Sequence, residues 1–468
     1  MSRDVDVAII GAGSAGLYAL SQVRRATDNW VLIDGGELGT TCARVGCMPS
    51  KALIQVAEDF QRRQLFRREG IEGGDGLSVD LPAALEHVQD LRDLFVEKVL
   101  ANSIDQMDES RFIAGQARFV APDTLEVDGQ TLKAKSIIVA TGSRPSVPEA
   151  WRAFGDRVLT TDELFELEDL PASLAVIGLG VIGLELGQAL ARLGVEVAGF
   201  EMGERIGGME DPAVSRVAVE IIGKEFPLHL GAAAEIEAEA DGRLRVTAGE
   251  QSVVVERVLA CMGRMPNVEG LGLEVLGVER DARGVPLHDR HSMQVGSLPV
   301  YLAGDVTGER PLLHEAGDEG RIAGFNAVHE RPRSFARKTP LAITFSDPNL
   351  VMVGAALDEL DLQAIAIGEV RLGPLGRALI MGKNKGLLRV YADRRDGRLR
   401  GAALCGPRAE NLGHLLALAI GQGLTVFDML KQPFYHPTLE EGLQAALYDL
   451  KGQFETSDEV PVELSPLD

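Results

Sequence analysis

The chain has 468 residues, room for about three domains at roughly 150 residues each. Its 47 Lys and Arg against 70 Asp and Glu give a net charge of −23, which repels phosphate backbones and argues against a nucleic-acid partner. Hydrophobic residues at 45% and charged residues at 25% are globular values that exclude a disordered chain, and four cysteines are too few for a disulfide-stapled scaffold.

The N-terminus, Met1 to Asp6, carries acids before the apolar run at Val7, unlike a signal peptide. The longest uncharged stretches, Val7 to Val23 and Asn411 to Phe427, hold 17 residues each, contain glycines and fall short of the ~20 mainly apolar residues that span a bilayer. The expectation is a cytoplasmic protein without membrane contact. Glycine, 53 of 468 residues, exceeds the usual ~7% and suits a chain that bends tightly around large ligands.

Val5 to Ile10 reads as a strand, followed by Gly11-Ala12-Gly13-Ser14-Ala15-Gly16 and a helical segment from Leu17 toward Arg25. Trp30 to Asp34 reads as the next strand. The pattern recurs at Leu174 to Ile177, then Gly178-Leu179-Gly180-Val181-Ile182-Gly183, a helix to about Leu193, and Val195 to Phe200 ending at Glu201. In both copies the first glycine precedes the strand-end acid by 23 residues. One such glycine motif is a weak signal, but two with matching strands, helices and acids point to two dinucleotide folds. Gly11 and Gly178 allow the tight turn. Gly13 and Gly180 let the backbone approach a pyrophosphate, and Gly16 and Gly183 let helix and strand pack closely. Asp34 and Glu201 are expected to hold ribose hydroxyls. An acid at 201 repels a 2′-phosphate, which favours NAD over NADP.

Residues 50 to 110 read mostly as helix, with a break at Gly73-Gly74-Asp75-Gly76. Ser143 to Pro148 and Arg331 to Pro340 read as linkers. Beyond them, Leu341 to Val353 and Gly386 to Ala392 look like strands and Ala409 to Ile420 like a helix, a separate α+β domain.

Cys42 and Cys47 enclose Ala43-Arg44-Val45-Gly46. The spacing is not the CxxC of zinc sites, and no metal is expected. A close pair in a chain without export signals is more often redox-active or metal-binding than structural; the plainer alternative is two buried, inert thiols. Five residues of regular helix rise about 7.5 Å, beyond the ~7 Å Cα separation that a disulfide tolerates. A bridge here therefore needs a distorted turn. Lys51, four residues beyond Cys47, shares its face on a helix and favours a thiolate there. Cys261 and Cys405 match no redox position and read as packing residues.

These residues resemble the FAD-dependent pyridine nucleotide–disulfide oxidoreductases along essentially the whole chain. Gly39-Thr40-Thr41-Cys42 to Lys51 resembles the active-site segment, and Ala140-Thr141-Gly142-Ser143 the ATG motif. Gly263-Arg264-Met265-Pro266-Asn267 resembles the GRxPN segment, and Tyr301-Leu302-Ala303-Gly304-Asp305 the ribityl-binding segment. His436-Pro437-Thr438 with Glu441 resembles the C-terminal acid–base dyad. The implied fold is α/β, with two Rossmann-like domains for FAD and NAD and a C-terminal α+β dimerisation domain. Residues 1–145 and 271–338 would bind FAD, 146–270 would bind NAD, and 339–468 would form the interface.

The resemblance also implies roles. Cys42 would meet the substrate, and Cys47 would be the flavin-proximal thiolate. Lys51 would pair with Glu185 near the flavin, while His436 would shuttle the proton, oriented by Glu441. Thr41, Lys51, Gly115, Thr141, Gly142, Asp305 and His314 would contribute to the flavin site, the last chiefly through backbone, and Gly263 would contribute to cofactor binding. Locally, Thr438-x-x-Glu441 also fits a helix capping box.

Within the family, Glu201 and the small aliphatic Val181 resemble the dihydrolipoyl dehydrogenase branch. The tail, Val460 to Asp468, lacks the extra cysteines of mercuric reductases and large thioredoxin reductases. The implied reaction is dihydrolipoamide plus NAD to lipoamide plus NADH, in a homodimer whose active sites are shared between subunits. The implied partner is a lipoyl-bearing carrier protein or 2-oxo acid dehydrogenase-type complex. A reductase of another disulfide is the alternative; a non-catalytic flavoprotein sensor fits poorly, because all four of Cys42, Cys47, His436 and Glu441 are present. Two departures stand out: Arg44 where the family usually has Asn, and Asp34 where Glu is commoner.

Overall fold

The computed structural model describes residues 3–455 and 460–467. Met1 and Ser2 of the acidic N-terminus, and 456–459 and 468 near the C-terminus, lie outside the described residues.

The strand Arg3–Ile10 sits between Trp30–Asp34 and Gln130–Val139, parallel to both. Phe112–Ala114 extends the sheet on one side and Val300–Leu302 pairs with Gln130–Val139 on the other. Two antiparallel strands, Ala117–Ala121 and Thr124–Val127, complete seven. Burial on both faces explains the near-continuous apolar runs of the parallel strands. Helix Ser14–Val23 packs on one face against helix Leu313–Ala327.

A second sheet has five parallel strands in the order Leu228–Leu230, Glu196–Glu201, Ser173–Ile177, Arg257–Ala260, Val158–Leu159. Helix Val181–Arg192 follows its central strand. The expected linker at Ser143 is in part a strand: Ser143–Pro145 pairs antiparallel with Arg264–Pro266, tying the two dinucleotide units together. The sequence hid this because both segments are three residues long and carry prolines, which suit only edge strands.

The C-terminal region is a five-stranded antiparallel sheet backed by helices Ala409–Gly421 and Glu440–Lys451. Leu341 to Val353, expected as one strand, is two: Leu341–Thr344 turns back into Asn349–Gly354. The reason is the intervening Ser346-Asp347-Pro348, whose proline offers no amide hydrogen to a ladder. Among the described residues, no helix is long and apolar enough to cross a membrane.

Candidate active site

The two glycine motifs are built alike. Gly11 N–H donates to Ile33 O at 2.8 Å and Ala140 N–H to Ile10 O at 2.7 Å. In the second copy, Gly178 N–H donates to Phe200 O at 2.8 Å and Cys261 N–H to Ile177 O at 2.7 Å. A Cβ on Gly11 would meet Ala140 O at 2.3 Å, and one on Gly178 would meet Cys261 O at 2.4 Å. Both glycines also hold positive φ, +108° and +91°. A Cβ on Gly16 would lie 1.9 Å from Gly11 O, and one on Gly183 equally close to Gly178 O. A Cβ on Gly13 or Gly180 would meet nothing within 4 Å. In each motif, then, the outer glycines are consumed by packing and the middle one faces open space. A backbone cradle left open at a helix N-terminus fits a pyrophosphate.

The strand-end acids are tied identically. Asp34 Oδ2 accepts from Ala12 N–H at 2.6 Å and Oδ1 from Gly36 N–H at 2.7 Å. Glu201 Oε2 accepts from Leu179 N–H at 2.8 Å and Oε1 from Gly203 N–H at 3.0 Å. These bonds hold each carboxylate beside its glycine turn, where ribose hydroxyls would lie. The repeat also explains Cys261, which occupies the place of Ala140. Burial pushes its thiol up to about 12, and that of Cys405 likewise, so both are inert at neutral pH.

The other motifs converge on the first unit. Asn267 N–H donates to Gly142 O at 3.0 Å and its side-chain amide to Thr141 O at 2.9 Å. Thr141 Oγ1 donates to Asn267 O at 2.7 Å. Asp305 Oδ2 accepts from Ser143 Oγ at 2.8 Å, and Arg264 donates to Ser143 through both its side-chain oxygen and its carbonyl. Gly263 lies next to Arg264 with open space where a Cβ would stand. Gly115 donates its N–H to Asp34 O at 3.0 Å. His314 and Thr41 are exposed, at the starts of helices Leu313–Ala327 and Thr41–Arg44.

The thiols sit at a broken helix. Thr41–Arg44 forms a single turn, capped by Thr40 Oγ1, which accepts from Ala43 N–H at 3.2 Å. Val45 and Gly46 leave helical geometry, and Cys47 opens helix Cys47–Gln61. This interruption is the distorted turn that the cysteine spacing demanded. It brings the two thiols close enough to perturb one another and places Cys47 in the first turn of a helix, among unpaired amide hydrogens. The neighbouring Cys42 thiol and then the Lys51 ammonium lower the Cys47 thiol to about 7, while Cys47 and burial push Cys42 up. The two thiols are shifted in opposite directions, which favours ionisation of the pair at Cys47.

Lys51 Nζ donates to Glu185 Oε2 at 2.7 Å and lies 4.9 Å from the centre of the Phe345 ring. Glu185 is only 3% exposed, and its Oε1 accepts from Phe345 N–H at 2.8 Å. That backbone contact, from the turn between strands Leu341–Thr344 and Asn349–Gly354, escaped the sequence reading, since no side-chain pattern marks it. Arg44 turns away from the thiols and pairs with Glu37. The cation that governs Cys47 is therefore Lys51.

His436 Nδ1 bonds Glu441 Oε1 at 2.8 Å, and Glu441 Oε2 accepts from Thr438 N–H at 2.9 Å. The carboxylate thus serves a capping contact and the imidazole together, and both bonds hold it below the usual carboxylate range. His436 is 80% exposed. Among the described residues its side chain bonds only Glu441, and within one chain no hydrogen bond joins it to either thiol. Among the described residues no cluster of side chains fit for a metal ion occurs.

Residues 5–320 match the family model for pyridine nucleotide-disulphide oxidoreductases, and residues 341–447 match the dimerisation domain of the same family. The chain belongs to that family. Its members use FAD and NAD(H). The chain is 33% identical to the dihydrolipoyl dehydrogenase of Thermus scotoductus over 96% of its own length and 98% of that protein's. It is 29% identical to the mercuric reductase of Staphylococcus aureus, covering 95% and 82% of the two chains. Among solved structures, the HOCl-induced flavoprotein disulfide reductase RclA from Escherichia coli superposes with a TM-score of 0.82, covering 97% of this chain and all of that one. At 23% identity that likeness is one of fold.

Proposed function

We propose that the enzyme is a dihydrolipoyl dehydrogenase, oxidising dihydrolipoamide with NAD through a Cys42–Cys47 disulfide. The observation that carries this is the thiol pair at the broken helix, with Cys47 lowered to about 7 by Cys42 and Lys51. The length and identity of the match to a dihydrolipoyl dehydrogenase support the choice of dithiol. Residues 1–145 with 271–338 would hold FAD, 146–270 NAD, and 339–468 the second subunit.

In the proposed reaction a substrate thiol gives its proton to His436 and its sulfur attacks Cys42 Sγ. The Cys42–Cys47 bond breaks, and Cys47, with the lower pKa, leaves as the thiolate. The second substrate sulfur then displaces Cys42, closing the substrate disulfide, and its proton ends on Cys42. Two electrons now rest on the Cys42 thiol and the Cys47 thiolate, and one proton leaves by way of His436. FAD, when bound, supplies the two-electron relay from this pair to the nicotinamide. The Gly13 cradle and Asp34 would hold the flavin nucleotide, with Thr41, Gly115, Thr141, Gly142, Asp305 and His314 along its length. Gly180 and Glu201 would hold NAD, with Gly263 nearby, and Glu201 would repel a 2′-phosphate. His436 and Glu441 of one subunit would serve the thiols of the other, consistent with their exposure and with the dimerisation domain.

Anaerobic titration of the yellow protein with NADH, then with dihydrolipoamide, tests this reading. A long-wavelength absorbance band with both reductants, and steady NADH formation from dihydrolipoamide and NAD, are expected. A band with NADH alone would overturn the substrate and leave a reductase of some other disulfide. The match to a mercuric reductase keeps that second reading in view.

A further inference from the structure

Glu185, Gln188 and Arg192 stand in one stripe along helix Val181–Arg192, at helical spacing. All three are buried, and all three reach the same neighbour, the turn Phe345–Asp347 of the C-terminal region. Glu185 Oε1 accepts from Phe345 N–H. Farther along the helix, Asp347 N–H donates to Gln188 Oε1 at 2.7 Å, and Gln188 Nε2 donates back to Asp347 O at 2.8 Å. Arg192 donates to Asp347 Oδ2 at 3.2 Å. Glu225 closes the set from the second dinucleotide unit. Its carboxylate accepts from Arg192 at 2.6 and 2.8 Å and from Gln188 Nε2 at 3.0 Å.

Packing alone does not require this set. Apolar side chains at 188 and 192 would bury as well, and taking an amide and a guanidinium out of water is costly. What a bonded polar set supplies over apolar contact is one fixed register. Register matters here because the turn makes two contacts with the redox centre. Phe345 N–H holds one oxygen of Glu185 and leaves the other for Lys51, and the Phe345 ring lies over the Lys51 ammonium. A slip of the turn along the helix would break both.

We infer that Gln188 and Arg192 are positioning residues for the Lys51–Glu185 pair, acting through the backbone of the Phe345–Asp347 turn. The inference rests on the proposed role of that pair beside the reactive thiols and extends it to two residues farther along the helix.

The test uses the FAD-loaded dimer, reduced anaerobically with a phosphine. Long-wavelength absorbance and the alkylation of Cys47 are followed against pH. Gln188→Leu keeps most of the volume and removes the bonds to the turn. Glu185 Oε1, no longer held by Phe345, then turns to the Lys51 ammonium and draws it from Cys47. The Cys47 transition should climb by about one pH unit from its place near 7. Arg192→Met should move it the same way. KM for NAD should stay put, because the Gly180 cradle lies at the opposite end of the helix. In a Glu185→Gln background, Gln188→Leu should move the transition by under about 0.3 unit while still lowering Tm, since the group it acts through is gone. Gln188→Asn holds its amide one methylene short of the turn and should show the same shift at smaller size, which serves if the leucine variant does not fold. A transition unmoved by these variants, or moved equally with and without Glu185, would overturn the inference and leave the dihydrolipoyl dehydrogenase reading intact. Wild-type enzyme with no thiolate transition below the ordinary thiol range would instead sink the reading of the thiol pair, and the inference with it.

Discussion

At the scale of single residues, the decisive feature is that two chemically identical thiols are made different. Cys47 stands at the helix start and is lowered first by Cys42 and then by Lys51; Cys42 is raised by Cys47 and by burial more than Lys51 lowers it. Removing the cation should therefore move Cys47 upward. In Lys51→Met the reduced enzyme should lose the thiolate near pH 7, with the transition climbing toward the ordinary thiol range near 9. Alkylation rate against pH measures this directly; an unmoved transition would assign the shift to Cys42 and the helix alone. The sequence made Lys51 and Glu185 visible as family positions. It could not show that Arg44, nearer in sequence to both cysteines, is taken by Glu37, because that depends on the local path of the chain.

At the scale of elements, the glycine turns divide labour in a way that substitution should separate. Gly16→Ala places a methyl carbon 1.9 Å from the Gly11 carbonyl, against backbone that cannot yield. It should destabilise the first unit outright, seen as a lowered Tm even with excess FAD. Gly13→Ala meets nothing in the structure. It should fold with a near-normal Tm as apoprotein and lose FAD by tenfold or so in affinity, about 1.4 kcal/mol. Flavin content after gel filtration, set beside the Tm of the apoproteins, distinguishes the two. The matched spacing made both turns legible, since each uses local chain geometry. The pairing of Ser143–Pro145 with Arg264–Pro266 was not legible, because it joins short segments over a hundred residues apart.

At the scale of the whole molecule, a few buried polar ties hold the units in place. Asp211, 1% exposed, caps helix Pro212–Ile222 through the N–H groups of Ala213 and Val214. Its other oxygen accepts from Arg389 at 2.6 Å and from the Tyr391 hydroxyl at 2.6 Å, both in the C-terminal sheet. Asp211→Ala leaves the buried Tyr391 phenol without this acceptor and Arg389 with Glu369 as its remaining carboxylate, and should cost about 3 kcal/mol. Urea denaturation of the apoprotein reads this; a change under 1 kcal/mol would mean the units are held chiefly by apolar packing. A comparable tie sits at the flavin segment. Arg337, in the stretch read as a linker, donates to Glu315 at 2.6 Å and Glu319 at 2.8 Å, and Glu319 accepts from Gly304 N–H at 2.8 Å. The expected linker is thus partly a clamp on the segment before Asp305.

The sequence by itself determined the two dinucleotide units, the cysteine pair, the acids and the family, because those features repeat at fixed local spacing or recur as short contiguous motifs. What needed the folded chain was the contrast between the two thiols, the choice of Lys51 over Arg44 as the cation beside Cys47, and the way Phe345 steadies Glu185. Each of those depends on side chains brought together from distant parts of the chain, and electrostatic effects fall off within a few ångströms in ways that spacing along the sequence does not encode.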